Sequence, residues 1–118
     1  MGFYFIIVIN MSIHHQCASL LAQLTIDLKQ CDLWSNETPS KEQLSSTEPF
    51  AVDTLRFEQW LQFIFIPKMT DLVNNKTNLP SNMNIYPMAD ESLKHKNKTI
   101  TPLLATIKSL DQLISRGE

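Results

Sequence analysis

His14, His15 and Cys17 fall within one helical turn, and His14 and Cys17, three residues apart, have the spacing to reach one metal ion. A structural zinc needs four ligands, yet the chain has only one further histidine, His95, inside a lysine-rich run. Cys17 also continues an apolar helical stripe. The triplet therefore reads as surface histidines beside a core thiol, and no metal or other cofactor is expected. Serines are plentiful, but none sits on a glycine turn that would expose it beside a histidine for nucleophilic attack. Glu37, Glu48, Asp53 and Glu58 cluster mid-chain, where they could line a cleft. Acid–base work needs two such groups held together by the fold, and sequence spacing does not supply that. With no catalytic motif present, the sequence reads as non-enzymatic.

Glycine narrows the choice further. Of 118 residues only Gly2 and Gly117 are glycine. Loops that cradle phosphate, dinucleotide fingerprints and nucleophile elbows all require glycine, so these are excluded. Tight hairpins are equally short of their usual residues. A chain of this length, 43% apolar and 19% charged with a net charge of −2, suits one soluble domain and not a disordered segment. Near-neutral charge also disfavours a general polyanion binder.

The elements that must position any site are helical. Ile13, Cys17, Leu20, Leu21, Leu24, Leu28 and Cys31 form a first stripe, with Gln16, Gln23, Asp27 and Gln30 opposite. Ser12 is placed to cap that helix. The two cysteines, about 21 Å apart along such a helix, are expected to be free thiols. Residues 35–49 form a polar connection, in which Ser40 and Gln43 have capping-box spacing and Thr47 with Pro49 reads likewise as the cap of a turn starting near Phe50. A second long helix spans about Leu55–Val73, with Phe57, Trp60, Leu61, Ile64, Phe65, Met69, Leu72 and Val73 as its buried stripe. Pro67 lies inside it and should kink it, because its ring clashes with the Phe63 carbonyl. An asparagine-rich loop follows over 74–87, then a short helix near Ala89–Lys94 with Asp90 and Glu91 in its first turn. The last helix starts at Thr101-Pro102, with Thr101 as cap and Leu103, Ile107, Leu110 and Ile114 as its stripe. An all-α antiparallel bundle of three to four helices with a proline-kinked central helix is expected.

Residues 2–9, GFYFIIVI, are apolar but too short to span a bilayer and lack the flanks of a secretory signal. A buried first element, a membrane-touching segment and translation from an upstream start compete there. The favoured reading is a dispensable leader over 1–10, with a single domain over 11–118. Without a secretion signal, the Asn-x-Thr triplets at Asn36, Asn75 and Asn97 read as chance, and a cytoplasmic location is expected.

Charge is uneven. Residues 1–59 carry three Lys/Arg against seven Asp/Glu, whereas Lys94, His95, Lys96 and Lys98 form a basic run. Such a run can touch phosphate, but no aromatic residues interleave it to stack bases.

Trp34, Glu37-Thr38-Pro39, Ser46-Thr47-Glu48-Pro49-Phe50, Asp53-Thr54, Trp60-Leu61-Gln62 and Ile66-Pro67-Lys68-Met69, taken together, resemble the YqcC family of small bacterial proteins. The likeness is closest across this block and extends from about Met11 to the last helix. One position departs: the family usually has glutamate directly before Trp-Leu-Gln, where this chain has Gln59 preceded by Glu58. The resemblance implies a cytoplasmic helical bundle without an assigned mechanism. It also implies a genomic association with a tRNA pseudouridine synthase, and a looser one with biofilm formation. It assigns no catalytic or ligand residue. A protein-interaction or accessory factor is therefore expected, with an RNA-binding module that uses the Lys94–Lys98 run as the alternative. The candidate interaction groove comprises Trp34, Glu37, Thr47, Phe50, Asp53, Thr54, Trp60, Gln62, Pro67 and Lys68. Within it Asp53 and Thr54 read as helix caps, and Gln62 and Lys68 as surface positions off the apolar stripe.

Overall fold

The computed structural model describes residues 12–96 and 99–116. The expected leader over 1–10, and Lys98 of the basic run, lie outside the described residues. Helix α1 spans Ile13–Gln30. The Ser12 hydroxyl accepts the His15 amide at 3.2 Å, as an N-cap should, and lies 3.2 Å from His15 Nδ1. Cys17, Leu21, Leu24 and Leu28 recur at steps of three and four and are all buried. The helix stops in a Schellman motif: the Leu33 amide donates to the Leu28 carbonyl and the Asp32 amide to that of Lys29. Asp32 takes the left-handed conformation (φ 58°) that glycine usually fills there.

Scarcity of glycine therefore does not exclude positive φ in this chain. Lys76 (φ 53°) ends the central helix in the same way, with Thr77 donating to the Leu72 carbonyl and Lys76 to that of Val73. Each such residue costs about 1–2 kcal/mol relative to a right-handed turn, and here the capping bonds and the buried Leu28–Leu33 pairing offset it.

Short helix α2, Lys41–Leu44, carries the expected capping box: Ser40 Oγ accepts the Gln43 amide at 3.1 Å and Gln43 Oε1 accepts the Ser40 amide at 2.9 Å. A 3₁₀ turn follows at Pro49–Ala51. The residue preceding it is Glu48, whose carbonyl accepts the Ala51 amide, so Thr47 is not its cap.

The central helix runs as α3 (Phe57–Trp60), a π-helical segment (Leu61–Phe65) and α4 (Ile66–Asn74). The Ile66 amide reaches back five residues to the Leu61 carbonyl. This wider turn lies where the Pro67 ring would otherwise meet the Phe63 carbonyl, so the helix passes through the proline instead of ending. It also sets the buried face. Phe57, Leu61, Phe65 and Met69 are all buried at a constant step of four. On a regular α-helix each such step drifts by about 40°, and the π turn takes up that drift. Trp60, Ile64, Leu72 and Val73 of the expected stripe are consequently only half-buried.

Helix α5 spans Tyr86–Leu93, three residues earlier than expected, and Pro87 opens it instead of belonging to the loop. Asp90 and Glu91 therefore lie beyond its first turn. Its N-terminal amides are capped from another helix: Asp111 Oδ1 accepts from Ile85 at 2.9 Å and Oδ2 from Tyr86 at 2.8 Å. Helix α6, Thr101–Arg116, includes Thr101 within it, since the Leu104 amide bonds to the Ile100 carbonyl.

Contacts between helix ends show the antiparallel bundle that the stripes predict. The His14 ring meets the Thr77 carbonyl, joining the start of α1 to the end of α4, while the Cys31 thiol donates to the Thr99 carbonyl just before α6. Leu24, Leu28, Leu61, Leu93, Leu103, Ile107 and Leu110 fill the shared core. Asp27, assigned by its sequence position to the polar face of α1, is 2% exposed. It accepts from Thr106 of α6 and from Gln23, which satisfies a carboxylate that burial would otherwise penalise. Cys17 and Cys31 are both buried and are not bridged to each other, as expected. Among the described residues, no helix is long and apolar enough to cross a membrane.

Candidate functional site

The candidate residues divide into a cavity wall and a scaffold. Phe50, Trp60, Ile64, Phe65, Lys68, Met69, Met83 and Ile85 line an open cavity of about 390 Å³, with Pro80, Asn82 and Asn84 from the loop before α5 on its rim. Of the ten residues proposed from sequence, Phe50, Trp60 and Lys68 meet there. Trp34 does not line it; its ring lies under the Lys29 ammonium, 5.1 Å from the ring centroid. Glu37, Thr47 and Pro67 are exposed and also outside the wall.

Phe50 reaches the wall through unusual backbone. Phe50 (φ 58°, ψ 17°) and Ala51 (φ 48°) are both left-handed, and neither terminates a long helix. Phe50 meets Trp60 edge-on with centroids 4.8 Å apart and Phe57 at 6.1 Å. Two aromatic contacts at about 0.5–1.5 kcal/mol each beyond burial balance a left-handed phenylalanine at about 1–2 kcal/mol. The aromatic cluster thus holds the turn in place.

Three assignments from sequence need correction. Gln62 is buried, not a surface position: Nε2 donates to the Ser35 carbonyl and Oε1 accepts the Ser35 amide, both at 2.8 Å. It clamps the chain leaving α1 onto the central helix. Asp53 and Thr54 do not cap that helix. Asp53 accepts from the Ser46 hydroxyl, and the Thr54 hydroxyl donates to the Gln43 carbonyl at 2.7 Å, so both fold the 40–54 connection onto itself. The helix is closed instead by Gln59, whose Oε1 accepts the Arg56 amide at 2.9 Å. Glutamine at this third position does what a glutamate would do there.

Glu58 is also no cleft acid. It is 5% exposed, and its Oε2 lies 3.3 Å from both Arg56 Nε and Lys96 Nζ. Lys94 pairs with Glu91 at 3.0 Å, so two lysines of the basic run are already engaged with carboxylates. Sequence reasoning missed Asp27, Glu58 and Asp111 as buried groups because each lies one position beside an apolar stripe. Each has a partner far off in the chain, 79, 38 and 26 residues away. Burial raises the Cys17 thiol above its ordinary value, the opposite of what a metal-binding or redox thiolate requires.

Together these features define a small all-α bundle whose buried polar side chains hold helices to loops and to one another, with one aromatic cavity open on its flank. A family model described as tRNA pseudouridine synthase C (DUF446) matches residues 16–113, and the chain belongs to this YqcC-like family. It is 36% identical over 104 residues to an uncharacterized protein of Haemophilus influenzae, covering 88% of this chain and 97% of that one. It is 32% identical over 105 residues to the uncharacterized protein YqcC of Escherichia coli, covering 89% and 96%. The solution structure of that YqcC superposes with a TM-score of 0.80 at 31% identity over 92% of each chain. A further match, 36% identical over 70 residues, is to a protein of Pectobacterium carotovorum named tRNA pseudouridine synthase C; it covers 59% of this chain but 19% of that protein.

Proposed function

We propose that this chain is a non-enzymatic cytoplasmic accessory protein that binds a tRNA pseudouridine synthase. The observation that carries the reading is the Pectobacterium protein: a stretch similar to this chain occupies 19% of a longer polypeptide named as that synthase. A bundle joined covalently to an enzyme in one organism is a natural non-covalent partner of it in another, because a linker replaces only the effective concentration that affinity must otherwise provide. The interior supports an accessory role. Asp27, Glu58, Gln62 and Asp111 each hold a helix or loop in place, which leaves these buried polar groups with structural tasks. The RNA-binding alternative draws less support, since Lys94 and Lys96 are ion-paired within the chain.

The test mixes the purified chain with the tRNA pseudouridine synthase C of the same organism and follows complex formation by size-exclusion chromatography, with and without ribonuclease. The expected result is a complex that survives ribonuclease and changes the rate of tRNA pseudouridylation. Absence of any complex overturns the reading. A complex lost on ribonuclease treatment favours the RNA-binding module.

A further inference from the structure

The aromatic cavity has features that specify its occupant. Trp60 stacks against Phe65 and Phe57, with centroids 5.4 and 5.9 Å away, and Phe50 meets it edge-on. Three rings already pack around the indole, and the cavity wall adds the side chains of Ile64, Met69 and Met83. Such walls take an aliphatic or aromatic side chain by dispersion, whereas a nucleobase needs a free ring face on which to stack. Met83 adds an adaptable wall, since methionine refits to differing partners. The volume, about 390 Å³, suits one large side chain and its neighbours.

Lys68 supplies the charge. Lys94 and Lys96 are ion-paired, and Lys29 and Lys108 lie over the rings of Trp34 and Tyr86. Lys68 lines the cavity, is exposed, and has no ion-pair or ring partner among the described residues. An unpaired ammonium beside an apolar recess complements a carboxylate presented next to an apolar side chain. We infer that the cavity receives a segment of the synthase in which one large apolar side chain enters between Phe50, Ile64 and Met83 while a neighbouring Asp or Glu pairs with Lys68. This inference rests on the accessory reading above and assigns the face that does the binding.

The experiment titrates the full chain with purified tRNA pseudouridine synthase C of the same organism, and treats the mixture with a zero-length carbodiimide that joins amines to touching carboxylates. The expected cross-link joins Lys68 to an acidic residue of the synthase. Lys68→Glu, an exposed change that leaves the thermal midpoint in place, should weaken binding about tenfold or more. Lys41→Glu, an exposed change on α2, should bind as wild type. If the wild-type chain binds but Lys68→Glu binds equally well and cross-links arise elsewhere, the cavity assignment is wrong and the accessory role stands. If the wild-type chain does not bind the synthase, both fall. Binding that requires RNA overturns the protein-docking assignment as well.

Discussion

Gln62 offers the sharpest test of how this fold is held. Its amide makes two bonds at 2.8 Å to the backbone of Ser35 and is 7% exposed. Gln62→Ala removes two net hydrogen bonds at about 0.5–1.5 kcal/mol each and about 1 kcal/mol of methylene burial. A loss of roughly 2–4 kcal/mol follows, from a total stability on the order of 5–15 kcal/mol. Urea unfolding followed by tryptophan fluorescence measures it directly. Gln62→Glu sharpens the test, because it keeps the shape but sets a carboxylate oxygen against the Ser35 carbonyl. Only the protonated acid can donate there, so folding raises its pKa above the unfolded value of about 4.3. A raised folded pKa gives stability that is fully present below the unfolded value and lost as pH rises through the folded one. The deficit of this variant against wild type should therefore be small near pH 4 and grow towards pH 7. A Gln62→Ala loss below about 0.5 kcal/mol, the size of an ordinary surface change, would refute the clamp. So would a Gln62→Glu deficit that does not vary with pH.

Asp111→Ala should destabilise the protein by about 2–4 kcal/mol, because it strips both amides at the start of α5 of their acceptor, and amide hydrogen exchange should quicken first at Ile85 and Tyr86. Cys17, fully buried with its thiol pKa raised by burial, should react with thiol reagents at pH 8 only after unfolding; rapid labelling of the native protein would show that α1 opens there. Ala51→Gly should be neutral or stabilising by about 0.5–1 kcal/mol, against the usual cost of glycine, since Ala51 occupies left-handed backbone; a clear loss by thermal melting would count against that conformation.

Local rules account for what the sequence revealed and distance for what it hid. The Ser12 cap, the Ser40–Gln43 box and the stripes of α1 and α6 depend on residues three or four apart, and all appear where spacing puts them. Asp27 and Asp111 have their principal partners on other helices, so a pattern confined to one helix misplaces them. Gln62 was hidden by the π turn, since a period of 3.6 sets it beside the buried stripe and the wider turn carries it inward. The candidate groove was legible in part. Phe50, Trp60 and Lys68 converge because they flank one helix face, whereas Trp34 leaves α1 on the side that Gln62 clamps.

The irregular backbone is not scattered at random. Asp32 and Lys76 are left-handed because each stops a helix, and their capping bonds account for them. Phe50 and Ala51 stop no long helix, and the π turn over Leu61–Phe65 carries the central helix past Pro67. Both irregularities border the same cavity: the left-handed turn delivers Phe50 to it, and the π turn contributes Ile64 and Phe65 while passing Pro67 to set Lys68 on its wall. The left-handed Phe50 costs about 1–2 kcal/mol, and its contacts with Trp60 and Phe57 offset that cost. Both irregularities therefore shape the recess that Lys68 borders, a lysine with no ion-pair or ring partner among the described residues.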